Sequence, residues 1–94
     1  MIIISGQIHV DAEVRDDYLA GCRGVIEAAR AASGCHDFVL AADPLDAGRI
    51  NVYERWESDE QLESFRGSGP DPEQAAVIRH ADVARYRIAA VEAP

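Results

Sequence analysis

The sequence predicts an α+β domain with the element order β-α-β-β-α-β and one antiparallel sheet. Three observations support this prediction. Four short segments alternate apolar and polar residues, the stretch after the first of them repeats its apolar residues every three or four positions, and helix-capping residues follow the third strand. With 94 residues the chain has the length of one domain, so we expect residues 1–94 to fold as a single unit.

The first strand and the first helix have different apolar periods. From Ile2 to Val10 every second residue is apolar or glycine, which predicts a strand with one buried face. Asp11 is predicted to be the N-cap of the helix that follows. The apolar stripe of this helix consists of Val14, Tyr18, Cys22, Val25 and Ala29. Gly34 is expected to end the helix in a left-handed conformation.

Two more strands are predicted in the middle of the chain. They cover Cys35–Ala42 and Arg49–Glu57, and the six residues between them, DPLDAG, are rich in turn formers. One face of the earlier strand carries His36, Phe38, Leu40 and Ala42. One face of the later strand carries Ile50, Val52, Glu54 and Trp56. We expect both of these faces to meet the helices.

A short helix is predicted directly after the third strand. Ser58 and Gln61 have the spacing of a capping box, in which each residue satisfies a free backbone N–H of the other. Leu62 and Phe65 follow with the spacing of a buried helical face, so we expect both to point toward the sheet.

A second helical segment and a last strand complete the predicted fold. Asp71 and Pro72 mark the start of the segment, which is expected to end near His80. The strand is predicted at Asp82–Val91, with Ala84, Tyr86, Ile88 and Ala90 facing the helices. Right-handed crossovers then give a ferredoxin-like antiparallel sheet with both helical segments on one face.

The opposite face of this sheet is predicted to be of mixed character. It would carry Ile3, Val39, Tyr53, Val83 and Val91 together with Asp37, Arg55, Arg85 and Arg87. Such a face is too apolar for open solvent and too charged for a core. A second copy of the same sheet packed against it suits both features, so we expect a homodimer.

Composition and charge exclude several classes of function. The chain has seventeen acidic and nine basic residues and a net charge of −8. Nucleic acids and anionic membranes both need basic surfaces, so neither partner is expected. No apolar run approaches the ~20 residues that span a bilayer, and the N-terminal MIIIS is too short for a signal peptide. We therefore expect a cytoplasmic protein.

The two cysteines, Cys22 and Cys35, lack the spacing of a redox motif or a zinc site. We interpret them as small buried apolar residues in a reducing cytoplasm, with a disulfide between them as the alternative. The three histidines, His9, His36 and His80, are scattered along the chain, so no metal site is predicted.

Glu54 is the leading candidate for chemistry. A carboxylate on an apolar strand face is unfavourable unless it is paired or protonated, and desolvation raises its pKa toward neutrality. Trp56, two residues later, would offer a flat wall to an aromatic substrate. The alternatives are an ion pair or a helix-end contact for Glu54 and an ordinary core position for Trp56.

Two further groups are candidates with stronger structural alternatives. His80 could reach the interior as a proton carrier, or it could simply stabilise the end of a helix through its dipole. Four aromatic residues are predicted to converge on Glu54 and contact a substrate: Tyr18, Phe38, Phe65 and Tyr86. Such a set is also typical of a plain hydrophobic core.

One set of motifs spans the two middle strands and the helix after them. It consists of Gly34-Cys35, Phe38, Leu40, Asp43-Pro44, Tyr53-Glu54-Arg55-Trp56-Glu57, Leu62 and Phe65. These residues resemble the GC-x-x-[YF]-x-L, D-P and YE-x-W-E signature of the antibiotic biosynthesis monooxygenase (ABM) family. The resemblance implies a dimeric α+β barrel of ferredoxin-like units and covers nearly the whole chain.

The resemblance also implies a reaction. Small oxygenases of this family oxidise polyketide aromatics or quinols without metal or flavin, because the substrate anion itself supplies the electron to dioxygen. We therefore expect a cofactor-independent monooxygenase acting on a small aromatic, polyketide or quinol-like metabolite. Glu54, Trp56 and His80 are its expected catalytic residues. Asn51 falls on the opposite strand face, so the asparagine of the polyketide enzymes has no counterpart there.

Two alternatives use the same scaffold. One is a non-catalytic module that binds a small ligand or serves a stress response. The other is haem binding or degradation, which in this family depends on an asparagine in the first strand, a tryptophan in the second helical segment and a histidine that ligates the iron. Gly6 stands at the first of these positions and Phe65 lies close to the second, so two of the three groups are missing and His80 remains as the candidate ligand. The haem function is therefore the less favoured alternative.

Overall fold

A computed structural model of the protein describes residues 1–67 and 75–94. The strands are β1 (Ile2–His9), β2 (Cys35–Ala42), β3 (Arg49–Trp56) and β4 (His80–Arg87). The helices are α1 (Arg15–Gly21), α2 (Arg23–Ala31) and α3 (Asp59–Arg66), with a 3-10 turn at Ala12–Val14. The strands form one antiparallel sheet in the order β2-β3-β1-β4. The predicted ferredoxin-like α+β fold is confirmed.

Cross-strand pairing arranges the helix-covered face of the sheet in rows. One row consists of Phe38, Glu54, Ile4 and Arg85, in the order of the strands. The next row consists of Leu40, Val52, Gly6 and Val83. Because directly paired residues of antiparallel strands project to the same side, each row is a line of neighbouring side chains.

The core beneath the helices has two clusters of buried residues. The first cluster contains Ile2, Ile4, Ala29, Phe38, Trp56 and Leu62. The second cluster contains Ile8, Val10, Ile50 and Val52, with Val77 and Ile78 packed against it. The alternating burial of β1 and β3 that the sequence predicts is therefore confirmed for the interior strands.

The predicted long first helix is interrupted at Cys22. α1 ends one residue before Cys22 and α2 begins one residue after it. The interruption changes which residues face the sheet, so Ile26 packs on the core while Val25 is 39% exposed. The prediction that Val25 belongs to the buried stripe is wrong. Cys22 and Cys35 are not joined by a disulfide.

Both predicted ends of this helical region need correction. The Asp11 side chain does not cap the turn; its carboxylate accepts hydrogen bonds from Arg79 at 3.3 and 3.1 Å. Gly34 has the expected left-handed φ of +83°, but α2 already ends at Ala31. By contrast, Ser58 caps α3 as predicted, since its Oγ accepts from the Gln61 N–H at 3.3 Å.

The final strand begins two residues and ends four residues earlier than predicted, and its faces are reversed. β4 runs from His80 to Arg87, with Arg85 paired to Ile4 and Tyr86 paired to Ile3. Arg85, like Ile4, therefore projects toward the helices, and Tyr86 projects to the other side. The predicted start of the preceding helical segment at Asp71 and Pro72 lies outside the described residues.

Ion pairs explain why charged residues can face the helices on β4. Arg85 donates to Asp59 at 2.7 Å and to Glu63 at 2.8 Å, and Arg87 donates to Asp59 at 2.7 Å. The hydrogen bond from Arg87 is the main reason that the pKa of Asp59 lies below its ordinary value. β4 is an edge strand, and all of its residues are exposed, so these pairs stay in contact with water.

The side of the sheet away from the helices is called the open face from here on. Its residues on the two interior strands are Ile3, Ser5, Gln7, His9, Arg49, Asn51, Tyr53 and Arg55. All of them are half-buried although no element of the described chain forms a layer over them. The Arg55 Nε is buried and has no hydrogen-bond partner in the parts of the chain that the structure describes.

Candidate active site

Glu54 is a buried carboxyl group on the helix-covered face of the sheet. Only 8% of the residue is exposed, and its strand partners are Phe38 on β2 and Ile4 on β1. Both partners belong to the first core cluster. The prediction that strand alternation directs Glu54 and Trp56 to the buried side is confirmed.

Trp56 holds this carboxyl group by a hydrogen bond. The indole Nε1–H donates to Glu54 Oε1 at 3.0 Å, and Trp56 itself is fully buried. Burial raises the pKa of Glu54 above its ordinary value, while the Trp56 hydrogen bond and the positive charge of Arg66 partly offset the rise. A carboxyl group tuned in this direction is suited to accept or donate a proton near neutral pH.

Two further aromatic rings, those of Phe38 and Phe65, lie beside the Glu54–Trp56 pair. Phe65 lies 5.3 Å from Trp56 between ring centres, at an interplanar angle of 33°. Phe65 also meets Phe38 edge to face at 6.0 Å. The rings of Phe38, Trp56 and Phe65 thus form a continuous aromatic group beside the carboxyl, of which Phe65 is the least buried member.

An open cleft lies on the outer side of Phe65. It has a volume of about 340 Å³ and is lined by Ala32, Ser33, Gln61, Ser64 and Phe65. Glu54 and Trp56 do not line it, whereas Phe65, which contacts Trp56, does. Glu54 itself is only 8% exposed, so the carboxyl is buried beneath the described side chains.

Two of the predicted site residues lie on the wrong side of the sheet to meet Glu54. Tyr86 is paired with Ile3 on the open face and is 55% exposed. His80 is the first residue of β4, paired with His9 on the same open face. The prediction that Tyr86 shares an interior with Glu54 is wrong, because the register of β4 differs from the one that the sequence suggested. His80 was expected at the end of a helix or reaching the interior, and both expectations are wrong because it belongs to β4.

Tyr18 is also apart from the aromatic group. It packs against the second core cluster, whereas Phe38 and Trp56 belong to the first. Burial is the main reason that the pKa of the Tyr18 hydroxyl is raised, and the neighbouring Cys22 thiol adds to the increase. Of the four aromatic residues predicted to converge on Glu54, only Phe38 and Phe65 are placed in ring contact with the Trp56 group.

On α3, sequence reasoning identified Phe65 but missed the polar residues Gln61, Ser64 and Arg66. Gln61 and Ser64 lie beside Phe65 in the cleft, and Arg66 acts on Glu54 through its charge. Gln61 and Phe65 are four positions apart, which places them on one side of a helix. That spacing was a usable signal once Phe65 had been singled out. In the described ranges no three His, Cys, Asp or Glu side chains are close enough to hold a metal ion.

A comparison with models of protein families shows to which family this chain belongs. The family model described as antibiotic biosynthesis monooxygenase matches residues 1–80. The chain belongs to this ABM family. No curated protein matches the ABM-family chain in sequence.

Solved structures share the fold at low sequence identity. A proposed antibiotic biosynthesis monooxygenase from Deinococcus radiodurans is 15% identical, with a TM-score of 0.81 over 100% of this chain and 98% of that one. A protein from Nitrosomonas europaea with the same description is 12% identical, with a TM-score of 0.80 over 96% and 100%. The haem degrader MhuD from Mycobacterium tuberculosis, solved with two haems in its active site, is 19% identical, with a TM-score of 0.68 over 99% and 100%.

The ABM-family chain has no helix among its described residues that is long and apolar enough to cross a membrane. Its similarity to these solved structures establishes the fold, and the functional argument therefore depends on the site itself.

Glu54 is expected to make the protein less stable as the pH rises above its ordinary pKa of 4.5. Below that pH both the folded and the unfolded chain hold the proton. Above it, the unfolded chain releases the proton first, because the folded-state pKa is raised, and the unfolding free energy falls until the folded-state pKa has been passed. Glu54→Gln removes this effect, so its stability relative to the natural protein should increase in urea titrations as the pH rises above 4.5. A difference independent of pH would contradict the raised pKa.

Proposed function

We propose that this protein is a cofactor-independent monooxygenase that acts on a small aromatic, polyketide or quinol-like molecule in the cytoplasm. The observation that carries the proposal is the buried Glu54 carboxyl, held by the Trp56 N–H at 3.0 Å beside the rings of Phe38 and Phe65. A water-poor aromatic surface with one proton acceptor suits a substrate that must be ionised before it reacts with dioxygen.

In the proposed reaction Glu54 accepts a proton from a hydroxyl or an activated C–H group of the aromatic substrate. The resulting anion is electron-rich and transfers electrons to dioxygen directly. For an anthrone the balance is R₂CH₂ + O₂ → R₂C=O + H₂O: two C–H bonds break, one oxygen atom becomes the carbonyl oxygen, and the other leaves as water. The substrate loses four electrons and dioxygen gains four, so no further reductant is required.

The cleft outside Phe65 supports a route for the substrate. Ser33, Gln61 and Ser64 offer hydroxyl and amide groups that can bind the oxygen atoms of a polycyclic phenol or quinone. Rotation of the half-buried Phe65 would join the cleft to the space beside Glu54. Phe65 would then act as a gate that also stacks on the substrate ring.

Oxygen uptake with a panel of hydroxyanthrones and hydroxynaphthoquinols tests this proposal. We expect uptake above the uncatalysed rate for at least one compound and, for an anthrone, one dioxygen consumed per carbonyl formed. Because Trp56 is the only tryptophan, its fluorescence reports binding in the same samples. Fluorescence quenching without oxygen uptake for every compound would refute the oxygenase and leave a module that binds a small ligand.

That binding module is the second candidate function. It is favoured by one specific observation: the cleft described above is lined by Phe65 and by neutral side chains, and neither Glu54 nor Trp56 lines it. A haem function has less support. Gly6, at the position of the family's asparagine, has a φ of +153°, and an added Cβ there would overlap the backbone of β4.

We also propose that two copies of the chain pack through their open faces to form a homodimer. Ile3 and Tyr53 lie next to Arg55 on this face, which is half-buried but has no covering layer in one chain. The buried Arg55 Nε lacks a hydrogen-bond partner in the described chain, and an acceptor from a second copy would satisfy it. A self-complementary pairing of this kind is typical of two-fold dimers.

Tyr53→Asp is expected to convert this dimer to a monomer, because it places a charge in the centre of the interface. Light scattering after gel filtration should give twice the chain mass of 10.2 kDa for the natural protein and the single mass for the variant. Leu45→Asp is the control, since Leu45 is 96% exposed in the loop between β2 and β3 and lies outside the open face. A natural protein that is monomeric at micromolar concentration, or a Tyr53→Asp variant that stays dimeric, would contradict the proposed interface.

A further inference from the structure

Two of the three histidines are direct neighbours in the sheet although they are 71 positions apart in the sequence. His9 ends β1 and His80 begins β4, and the two residues are paired across the strands. Their side chains share the open face, with ring centres 5.9 Å apart and an interplanar angle of 41°. In the single chain His80 is exposed and His9 is half-buried, and the pair lies at the corner of the open face, at the rim of the proposed dimer interface.

We propose that His9 and His80 form a two-ligand site for a transition-metal ion of the Zn²⁺, Ni²⁺ or Cu²⁺ class. Neutral imidazole nitrogen is a preferred ligand of these ions. With Zn–N bonds of about 2.0–2.1 Å, two imidazoles bound to one tetrahedral ion have ring centres about 5 Å apart. The observed separation of 5.9 Å is slightly wider, so a small rotation of the side chains would bring the two rings to this spacing.

The charges around the pair are compatible with a cation. Arg49, which is paired with His9 from the β3 side, donates to Asn51 at 2.7 Å and lies 3.6 Å from Asp43. The other nearby guanidinium, Arg79, is bound by the Asp11 carboxylate. Each cation thus has an acidic partner of its own that offsets its charge.

An acidic side chain on the open face also favours the binding of a cation. Asp82 is on the same strand face as His80, two residues along β4, and contributes negative charge near the pair. It is not a third ligand, because no group of three potential ligands occurs in the residues that the structure describes. Water would complete the coordination of the ion, and the affinity should be that of a two-histidine chelate.

This site is separate from the proposed oxygenase chemistry. It lies on the opposite face of the sheet from Glu54, at the corner where β1 ends and β4 begins. Its test therefore does not depend on whether the protein oxidises any substrate.

Calorimetric titration with Ni²⁺ and with Zn²⁺ tests the site on the full chain, kept reduced. We expect one ion per chain. His9→Gln and His80→Gln should each weaken binding by at least about tenfold, because a chelate becomes a single-ligand contact. His36→Gln is the matched control: His36 is exposed and hydrogen-bonded to Glu57 at 2.7 Å, away from the pair, and its loss should leave the affinity unchanged.

Histidine ring NMR signals provide a second readout that does not require the variants to bind. Substoichiometric Ni²⁺ should broaden the signals of His9 and His80 together and spare those of His36. Equal broadening of all three rings, an affinity unchanged in both His9→Gln and His80→Gln, or one ion per two chains would overturn a chelate formed within one chain.

Discussion

Replacement of Gly6 by alanine is expected to destabilise the protein by about 2–4 kcal/mol, the sum of backbone strain and overpacking. Gly6 lies in the middle of β1 with a φ of +153°. A Cβ at this position would overlap the carbonyl oxygen of Asp82 and would lie 2.8 Å from the Cα of Val83. These are backbone atoms of β4, so no change of side-chain rotamer can relieve the contact. Either β4 must shift away from β1 or the pairing must break.

Urea unfolding of Gly6→Ala and Gly24→Ala measures this effect against a matched control. Gly24 lies inside α2, and an added Cβ would meet nothing within 4 Å. Alanine at that position should therefore stabilise the protein by up to about 1 kcal/mol through helix propensity. The two substitutions are chemically the same, but we expect them to change the free energy of unfolding in opposite directions. If both variants were as stable as the natural protein, the close approach of β4 to Gly6 would be refuted.

Glu54→Gln is expected to lower the rate of substrate oxidation by at least about 100-fold, the usual contribution of a general base. Glutamine has nearly the same shape, and its amide oxygen can still accept the hydrogen bond from Trp56. It cannot accept a proton from the substrate. The fold should therefore persist, as near-UV circular dichroism of Trp56 can verify, while oxygen uptake falls.

The matched control for this substitution is Glu57→Gln. Glu57 follows β3 three residues after Glu54, is exposed, and is hydrogen-bonded to His36 at 2.7 Å. Its loss should leave oxidation unchanged. Equal activity in Glu54→Gln and the natural protein would assign Glu54 to a structural role, and equal loss in both variants would point to a general effect of charge.

The buried faces of the interior strands were predictable because the hydrophobic core covers only one side of each strand. β1 and β3 each have neighbours on both edges and a core on one face, so alternation alone identified the side that carries Glu54 and Trp56. β4 was not predictable in the same way. All of its residues are exposed, and apolar residues occur on both of its faces, so its sequence does not distinguish them. What determines its register is partly the pairing of Arg85 with Asp59 and Glu63, which are more than 20 residues away.

The candidate site was predictable only where it depends on a single strand. Glu54 and Trp56 are two residues apart, and strand geometry alone brings them together. The contact of Phe65 with Trp56 depends on how α3 lies on the sheet, and the separation of Tyr18 depends on the break at Cys22. The His9–His80 neighbourhood required the register between the first and last strands, which no local pattern supplies.

The pH dependence of kcat/KM for oxygen uptake tests the central claim most directly, because it reports the ionisation of the free enzyme's essential base. We predict that kcat/KM of the natural protein rises with pH through a pKa above 4.5, the ordinary value of a glutamic acid, as Glu54 loses its proton. The same rise should persist in Glu57→Gln and disappear in Glu54→Gln. A rise of the same midpoint in Glu54→Gln would contradict the account, because the ionising group would then be the substrate or another residue.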